Sequence, residues 1–439
     1  MNWKQGIQEV TRLLGKRKLV WLGTRGSDAQ SLFHIPQFKE IFSIISPVED
    51  ASAISEVCLE DMTRRRIDNH IYEIHLDNSP EVQEFRRRLF ISMGEASAII
   101  AYSPVKVLTT AYFPRLNCVE YLGLLEERQA PFNYKPLIET ELKKIGIRTV
   151  PWQYYGEHNL PSLVHILEQG PIVIRQASHS SGGEGLLVVD KPSNIEIKEW
   201  LSQDGFLAIA PYLKPNVALN VNACVFKDSS VSIHAPSVQL IGIPLCTNLP
   251  LGYCGNDFGQ IRNLASSLLS ELETMTIRVG KWLARMGYLG AFGIDAIAYH
   301  DKIYLAELNP RFQNSSVIAA QIDMGLDRTD IYLNHMAAFF GYTAPQQIPL
   351  QELVQAQPCI SQVICYNCSP QIMLRSADNI HEQGYFKCMN LPKRDVSVVP
   401  GGMLLKGVIN DLVTTDGYNI MPKYESQLQG LVTDIFKTS

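Results

Sequence analysis

The segment from Gly290 to Arg311 reads Gly-Ala-Phe-Gly-Ile-Asp-Ala-Ile-Ala-Tyr-His-Asp-Lys-Ile-Tyr-Leu-Ala-Glu-Leu-Asn-Pro-Arg. Its two apolar, strand-like runs carry three oxygen-donor side chains, Asp295, Glu307 and Asn309. Side chains alternate faces along a strand, so Glu307 and Asn309 share one. For Asp295 to oppose Glu307 across a hairpin, the chain has two options. Either the turn is three residues long, His300 to Lys302 with Tyr299 facing Ile303, or one strand carries a bulge. A plain two-residue turn puts Ala306 opposite Asp295 and sends Glu307 to the other face. The turn has no glycine, and Asp301 is of a type that tolerates a left-handed backbone. An edge hairpin with solvated acids is the simpler alternative, but Glu307 lies within Tyr-Leu-Ala-Glu-Leu-Asn-Pro, where a solvated acid is out of place. Two carboxylates and an amide are hard oxygen donors. Such a set holds Mg²⁺ with few protein ligands and leaves its remaining positions to water and phosphate oxygens, whereas thiolate and imidazole metals are disfavoured.

A second segment, Pro171 to Asp190, reads as strand, small-residue loop and strand. Ser180, Ser181, Gly182 and Gly183 let backbone N–H groups approach phosphate oxygens closely, because little side-chain bulk intervenes. Arg175, near the end of the first strand, adds a fixed positive charge with forked donors. The loop fits neither G-x-x-x-x-G-K-[S/T] nor G-x-G-x-x-G, and no helix follows it, so P-loop and dinucleotide folds are disfavoured. By itself such a loop also fits a plain flexible hairpin.

Together and in this order, the two segments resemble the ATP-grasp superfamily of carboxylate ligases, in which a glycine-rich loop in a small lid precedes an Asp followed about a dozen residues later by Glu-x-Asn. Here Asp295 and Glu307 stand twelve positions apart, and Glu307-Leu308-Asn309-Pro310-Arg311 matches that ending. The resemblance covers roughly residues 133 to 316. It implies an α/β chain: an N-terminal parallel α/β domain of Rossmann-like type, an α+β ATP-grasp domain with a small lid, and a C-terminal β-rich segment.

Carried over residue by residue, the resemblance implies ATP as cosubstrate and Mg²⁺, with Mn²⁺ also compatible, on Asp295, Glu307 and Asn309. Lys135 resembles the lysine that opens the ATP domain and meets a nucleotide phosphate. Arg175 stands where the family usually has a second lysine, a departure that keeps the charge but changes its geometry. Ser180, Ser181, Gly182 and Gly183 correspond to the phosphate loop. Ala208 to Leu213 looks like the adenine hinge, with the Pro211 carbonyl, Tyr212 and the Leu213 N–H against the base. The acid common at that hinge is absent, leaving Asn216 or Asn220 for the ribose. Arg311 resembles the arginine that steadies the substrate carboxylate or its acyl phosphate. Arg311 and Arg175 are the implied catalytic cations, and Ser316 and Arg25 are further substrate contacts.

Composition excludes several classes. At 439 residues the chain holds two or three domains with full cores, and its 46% hydrophobic and 19% charged content is ordinary globular usage. A net charge of −5 without a basic tract argues against a nucleic-acid partner. Arg64 to Arg66 and Arg86 to Arg88 are short clusters flanked by acids, read as solvated faces. The N-terminus lacks the apolar core of a signal peptide, and no run reaches a membrane-spanning length. Nine irregularly spaced cysteines suit reduced thiols, so a cytoplasmic location away from membranes is expected. Cys365, Cys368, His381 and Cys388 are four possible zinc ligands, but their spacing matches no common module, and Val363 to Tyr366 reads as a strand with buried thiols.

Along the chain, residues 1–115 alternate strand-like runs (18–22, 42–45, 98–101, 106–108) with helical patterns such as 79–93, as expected for the N-terminal domain. The loop Gly23 to Asp28 after its first strand lies where such sheets bind ligands. Residues 116–341 form the expected ATP domain, with the lid at about 150–212. Within it, Leu264, Leu268, Leu272, Met275, Val279, Leu283 and Met286 recur at helical spacing from Gln260 to Met286, and Gly287 ends the helix. Residues 342–358, rich in Pro and Gln, read as a connector, and 359–439 as short β runs, including 396–399 and 403–408.

The implied chemistry is phosphorylation of a carboxylate by ATP to an acyl phosphate, which an amine then attacks to form an amide, releasing ADP and phosphate. Catalysis of this kind needs positioned charge and a lid that excludes water, not a nucleophilic side chain of the enzyme. An amino acid or peptide is the leading acid. Loading of an amino acid onto the thiol of an acyl carrier protein is the runner-up, and a nucleotide-binding regulator without turnover is the reading from another class. A homo-oligomer is compatible with all three.

Overall fold

The computed structural model describes residues 2–45, 54–66, 78–93, 96–106, 119–176, 182–191, 197–201, 205–376, 382–383 and 385–438. The N-terminal part forms a parallel sheet in the order Ser55–Cys58, Phe38–Ile45, Lys18–Arg25, Ser97–Ala101, Val119–Tyr121. The central strand is apolar from Leu19 to Leu22 and buried from Leu19 to Gly23, as a parallel strand covered on both faces must be. On one face Val82, Phe85 and Leu89 of helix Pro80–Ser92 pack against Val20 and Leu22. Ser79 caps that helix by accepting from the Val82 N–H, and Pro80 occupies its first turn, so the local sequence fixes where it starts. Two details differ from the sequence reading. The first strand runs through Arg25, and a 3₁₀ helix, Gly26–His34, follows it where a loop was expected. Lys106, expected in a strand, is helical, and residues 107–118 lie outside the described part.

The lid is a four-stranded antiparallel sheet in the order Gln153–Gly156, Phe206–Pro211, Ile172–Gln176, Leu186–Val189. Its core of Ile172, Ile174, Leu207 and Ile209 is separate from the main core. It is therefore a small layer joined to the rest by few apolar contacts.

The largest sheet carries the hairpin Gly290–Tyr299 and Lys302–Asn309 at one edge and continues through Val217–Val225, Ser237–Ile241 and Tyr253–Asp257 into Ser361–Tyr366, Met403–Ile409 and Phe386–Met389. The C-terminal β runs thus extend the central sheet, through the pairing of Gly255 with Val363 and of Val363 with Gly407. The helix expected over 260–286 spans Ser266–Arg285. Its apolar stripe is buried from Leu268 to Leu283, whereas Met286 is exposed. Gly287 follows with φ +85°, a left-handed conformation that glycine adopts without a Cβ clash. The expected connector contains a helix, Leu350–Ala356, whose Leu350, Leu353 and Val354 join the main core. The C-terminal β-rich segment also holds a 14-residue helix, Pro422–Ile435, buried through Tyr424, Leu428, Leu431 and Ile435.

The basic cluster at 64–66 is not simply solvated. Arg66 is fully buried, pairs with Glu60 at 2.7 Å and donates to the carbonyls of Asn390 and Met403, tying the N-terminal part to the C-terminal strands. Breaking such a pair from one side typically costs about 3–5 kcal/mol, because the other charge stays buried. By contrast, Arg87 and Arg88 make exposed pairs with Glu84. Among the described residues, no helix is long and apolar enough to cross a membrane.

Candidate active site

Asp295 and Glu307 are cross-strand partners, and the device that aligns them is a bulge. Tyr299 pairs with Lys302, so the turn is the two-residue His300–Asp301, and it is His300, not Asp301, that takes a positive φ of 50°. From the turn the pairs run Ala298 with Ile303 to Ala296 with Leu305. Ala306 is then left unpaired, and the ladder resumes with Asp295 opposite Glu307 and Gly293 opposite Asn309. The three-residue turn does not occur.

On the next strand Asn220 pairs with Asp295, giving a polar row of Asn220, Asp295 and Glu307 across three strands. The Asp295 carboxylate is held from several sides. Its Oδ1 accepts from the amides of Asn220 (2.8 Å), Gln239 (2.9 Å) and Gln313 (3.4 Å), and its Oδ2 accepts from Asn309 Nδ2 (2.8 Å). A Cβ on Gly293 would stand 1.9 Å from the Gln313 carboxamide and would push that amide off Asp295. Lys135, at the start of helix Lys135–Lys144, meets Glu307 Oε1 at 2.9 Å. Arg311 donates to Asn309 Oδ1 at 3.1 Å and to the Tyr102 hydroxyl at 3.2 Å. Burial, and then repulsion by Glu307, push the Asp295 pKa up to about 6, against the lowering effect of its amide donors. A carboxylate whose charge burial disfavours, with a second one opposite it and an amide oxygen beside them, fits a hard divalent cation.

These residues line one cavity of about 710 Å³ between the lid and the central sheet. From the lid and the segment after it come Trp152, Arg175, Gly182, Gly183 and the expected hinge residues Pro211, Tyr212 and Leu213. The glycine loop touches the opposite wall: Gly182 O accepts from the Tyr253 N–H at 3.1 Å. Gly183 has φ +95°, and a Cβ there would stand 2.3 Å from the Leu251 carbonyl oxygen. Ser180 and Ser181 lie outside the described residues.

Arg175 is almost fully buried. Its guanidinium stacks 4.1 Å from the Trp152 ring and donates to Glu139 at 2.8 Å and to the Tyr154 hydroxyl at 3.2 Å. Glu139 lies one turn after Lys135 on the same helix, so this pair ties the lid to the segment carrying the other cation. That gives a physical sense to Arg in place of Lys, because stacking and forked bonding need the planar guanidinium.

Of the two ribose candidates, Asn220 is committed to the Asp295 network and accepts from the Ser315 hydroxyl at 2.6 Å. Asn216 lies by the hinge, where it accepts from the Tyr418 hydroxyl, and both line the cavity. Ser316 does not line it. It is fully buried, donating to Asn222 Oδ1 at 2.7 Å and accepting from the Gln313 N–H, and its neighbour Ser315 reaches the cavity instead. Arg25 does line the cavity, buried and paired with Asp28 at 2.8 Å.

No group of three or more His, Cys, Asp or Glu residues arranged for a metal occurs among the described residues. Cys365 and Cys388 are buried thiols of the C-terminal core, Cys368 lines the cavity, and His381 lies outside the described part. Gln239, Gln313, Glu139, Tyr102 and Tyr418 were not foreseen. One signal was available: Asn220 and Asn222, two apart within an apolar strand, mark a polar face.

No family model matches the chain, and no curated protein matches it. Solved structures do. A biotin carboxylase from Campylobacter jejuni in complex with β-γ-ATP aligns with a TM-score of 0.61 at 15% identity, covering 91% of this chain and 89% of that one. An N5-carboxyaminoimidazole synthetase from Staphylococcus aureus complexed with ADP aligns at 0.54 and 11% identity, covering 95% and 96%. A carboxyaminoimidazole ribonucleotide synthase from Aspergillus clavatus complexed with ATP aligns at 0.56 and 13% identity, covering 95% and 98%. The chain shares the ATP-grasp fold of these structures.

Proposed function

We propose that this chain of ATP-grasp fold is an ATP- and Mg²⁺-dependent ligase that activates the carboxylate of an amino acid or peptide as an acyl phosphate and transfers it to an amine. The observation that carries the reading is the row Asn220, Asp295 and Glu307, flanked by Lys135 and Arg311, in the same cavity as the glycine loop. Bound at Asp295, Glu307 and Asn309, Mg²⁺ or Mn²⁺ would neutralise charge on phosphate oxygens.

The protein's own part is positioning. Lys135 and Arg175 bring cations toward the phosphates from the helix and the lid, and Gly182 and Gly183 keep that wall free of side-chain bulk. Pro211, Tyr212 and Leu213 form the wall for the base, and Asn216 with Tyr418 stands where the ribose would lie. Arg311 faces the acid, its fork suited to a carboxylate or acyl phosphate. The lid loop resting on residues 251–253 shields an acyl phosphate from water.

The test is ADP release with pooled amino acids and dipeptides, with and without hydroxylamine. Acid-dependent ADP release with hydroxamate formation supports the ligase. No acid-dependent release under any condition would favour a regulatory nucleotide-binding protein, and a product found only on a carrier thiol would replace the amine acceptor.

A further inference from the structure

Toward the N-terminal domain the cavity is lined by two cations, Arg25 and Arg65. Arg25 closes strand Lys18–Arg25, and Lys406 sits within strand Met403–Ile409; the two are 7% and 2% exposed. One buried carboxylate, Asp28, faces them. It pairs with Arg25, while Lys406 makes no ion pair with any described carboxylate. Burial and the nearby Arg25 draw the Lys406 pKa down to about 8, and Asp28 opposes this only in part. At this end of the molecule two buried cations therefore share one anion. Lys406 stands behind the wall and does not line the cavity, whereas Arg65 is exposed and lines it together with Arg25. Tyr102 connects this group to the reacting end, for the Arg25 and Arg311 guanidinium carbons lie 5.6 and 5.7 Å from the centre of its ring. The described acids lining the cavity, Glu184, Asp295 and Glu307, belong to the glycine loop and the hairpin.

We infer that the acid substrate carries a second anionic group, a carboxylate or a phosphate, which binds at Arg25 and Arg65 while Arg311 faces the carboxyl that is activated. The inference rests on the ligase reading for the word substrate, though the binding site itself does not. Buried cations in excess of their counterions are costly unless an anion joins them. A small dianion supplies that anion and, with both arginines close to one tyrosine ring, reaches both ends of the subsite. An acidic amino acid, a peptide with an acidic side chain and a phosphorylated acid all have such a pair of groups. The cavity is within the roughly 300–1,000 Å³ range of ligand sites.

The experiment is calorimetric titration of the full chain, saturated with ADP and Mg²⁺, using glutarate, 3-phosphopropionate and butyrate, with ADP affinity measured separately. Glutarate or 3-phosphopropionate is expected to bind at least about tenfold more tightly than butyrate, as for one added charge-assisted contact. Which of the two is tighter identifies the second group. Arg65→Gln, at an exposed position where folding is not at risk, is expected to remove most of that preference and leave ADP affinity unchanged. Lys406→Met is expected to weaken both dianions. Equal binding of butyrate and the dianions, or a preference that survives Arg65→Gln, overturns the subsite. ADP release from ATP assayed with the same acids keeps the two claims apart. A dianion preference without release with these acids or with the pooled amino acids and dipeptides refutes the ligase and leaves the subsite, whereas equal release with butyrate and glutarate does the reverse.

Discussion

Asp295 stands opposite Glu307 because Ala306 is left out of the ladder between them and the turn. Without that bulge the two-residue turn at His300–Asp301 would pair Asp295 with Ala306 and point Glu307 away from Asp295 and Asn309. A single extra residue thus decides whether two carboxylates share a face.

Glu307→Gln is expected to abolish turnover without unfolding the chain. The change keeps volume and hydrogen-bonding capacity, but removes one negative charge beside Asp295 and the ion pair with Lys135. Kinetics over a range of Mg²⁺ check this: near-normal activity with an unchanged metal requirement would falsify the metal assignment.

The two glycines of the loop are expected to respond differently to alanine. Gly183→Ala places a Cβ 2.3 Å from the Leu251 carbonyl oxygen at φ +95° and should lift the loop off residues 251–253. Gly182→Ala meets open space at φ +59°, so it pays only the left-handed cost of about 1–2 kcal/mol. Apparent ATP affinity should fall more for Gly183→Ala than for Gly182→Ala, and the reverse order would show that loop docking does not matter for nucleotide.

Arg311→Lys retains the charge but loses the fork that joins Asn309 and the Tyr102 hydroxyl. Turnover and affinity for the acid should drop while ATP affinity holds. Steady-state kinetics with each substrate varied in turn decide it, since a loss confined to ATP would move Arg311 into the nucleotide site.

His335 makes stability depend on acid. Its Nδ1 accepts from the Ala291 N–H at 2.9 Å and its Nε2 donates to the Leu122 carbonyl at 2.8 Å, so the ring is needed neutral, and burial lowers its pKa to about 4. Between the ordinary histidine value of about 6.5 and that lowered value, the unfolded chain binds a proton that the folded chain refuses, so stability falls as pH falls through this window. The contribution lost by pH 5 is roughly 2 kcal/mol. Asp330, whose pKa burial raises to about 7, acts in the opposite sense, so the comparison must be between variants. Urea midpoints at pH 7 and pH 5 should separate less in His335→Gln than in the unaltered chain, and an equal drop in both would remove the assignment to His335.

Local patterns were enough for many of the elements, though not for the helices Leu350–Ala356 and Pro422–Ile435. Alternation, the helical pattern over 79–93, the glycine stop at Gly287 and the Glu-x-Asn-Pro-Arg ending placed strands, helices and the carboxylate pair, because each depends on neighbours within a few residues. The superfamily resemblance rested on two such local motifs, the glycine loop and the hairpin, and on their order along the chain. What the chain alone left open involves partners far apart in sequence. The bulge, rather than a longer turn, follows from how the hairpin fits the sheet. The network of Asn220, Gln239 and Gln313 around Asp295 joins three strands and a loop, with partners up to 93 residues apart. Ser316 points into the core and Ser315 into the cavity, a difference set by the start of helix Ser316–Gly325 and invisible in the run Asn-Ser-Ser. The C-terminal strands extend the central sheet through backbone bonds to Tyr253–Asp257, and backbone pairing carries no sequence label that names its partner.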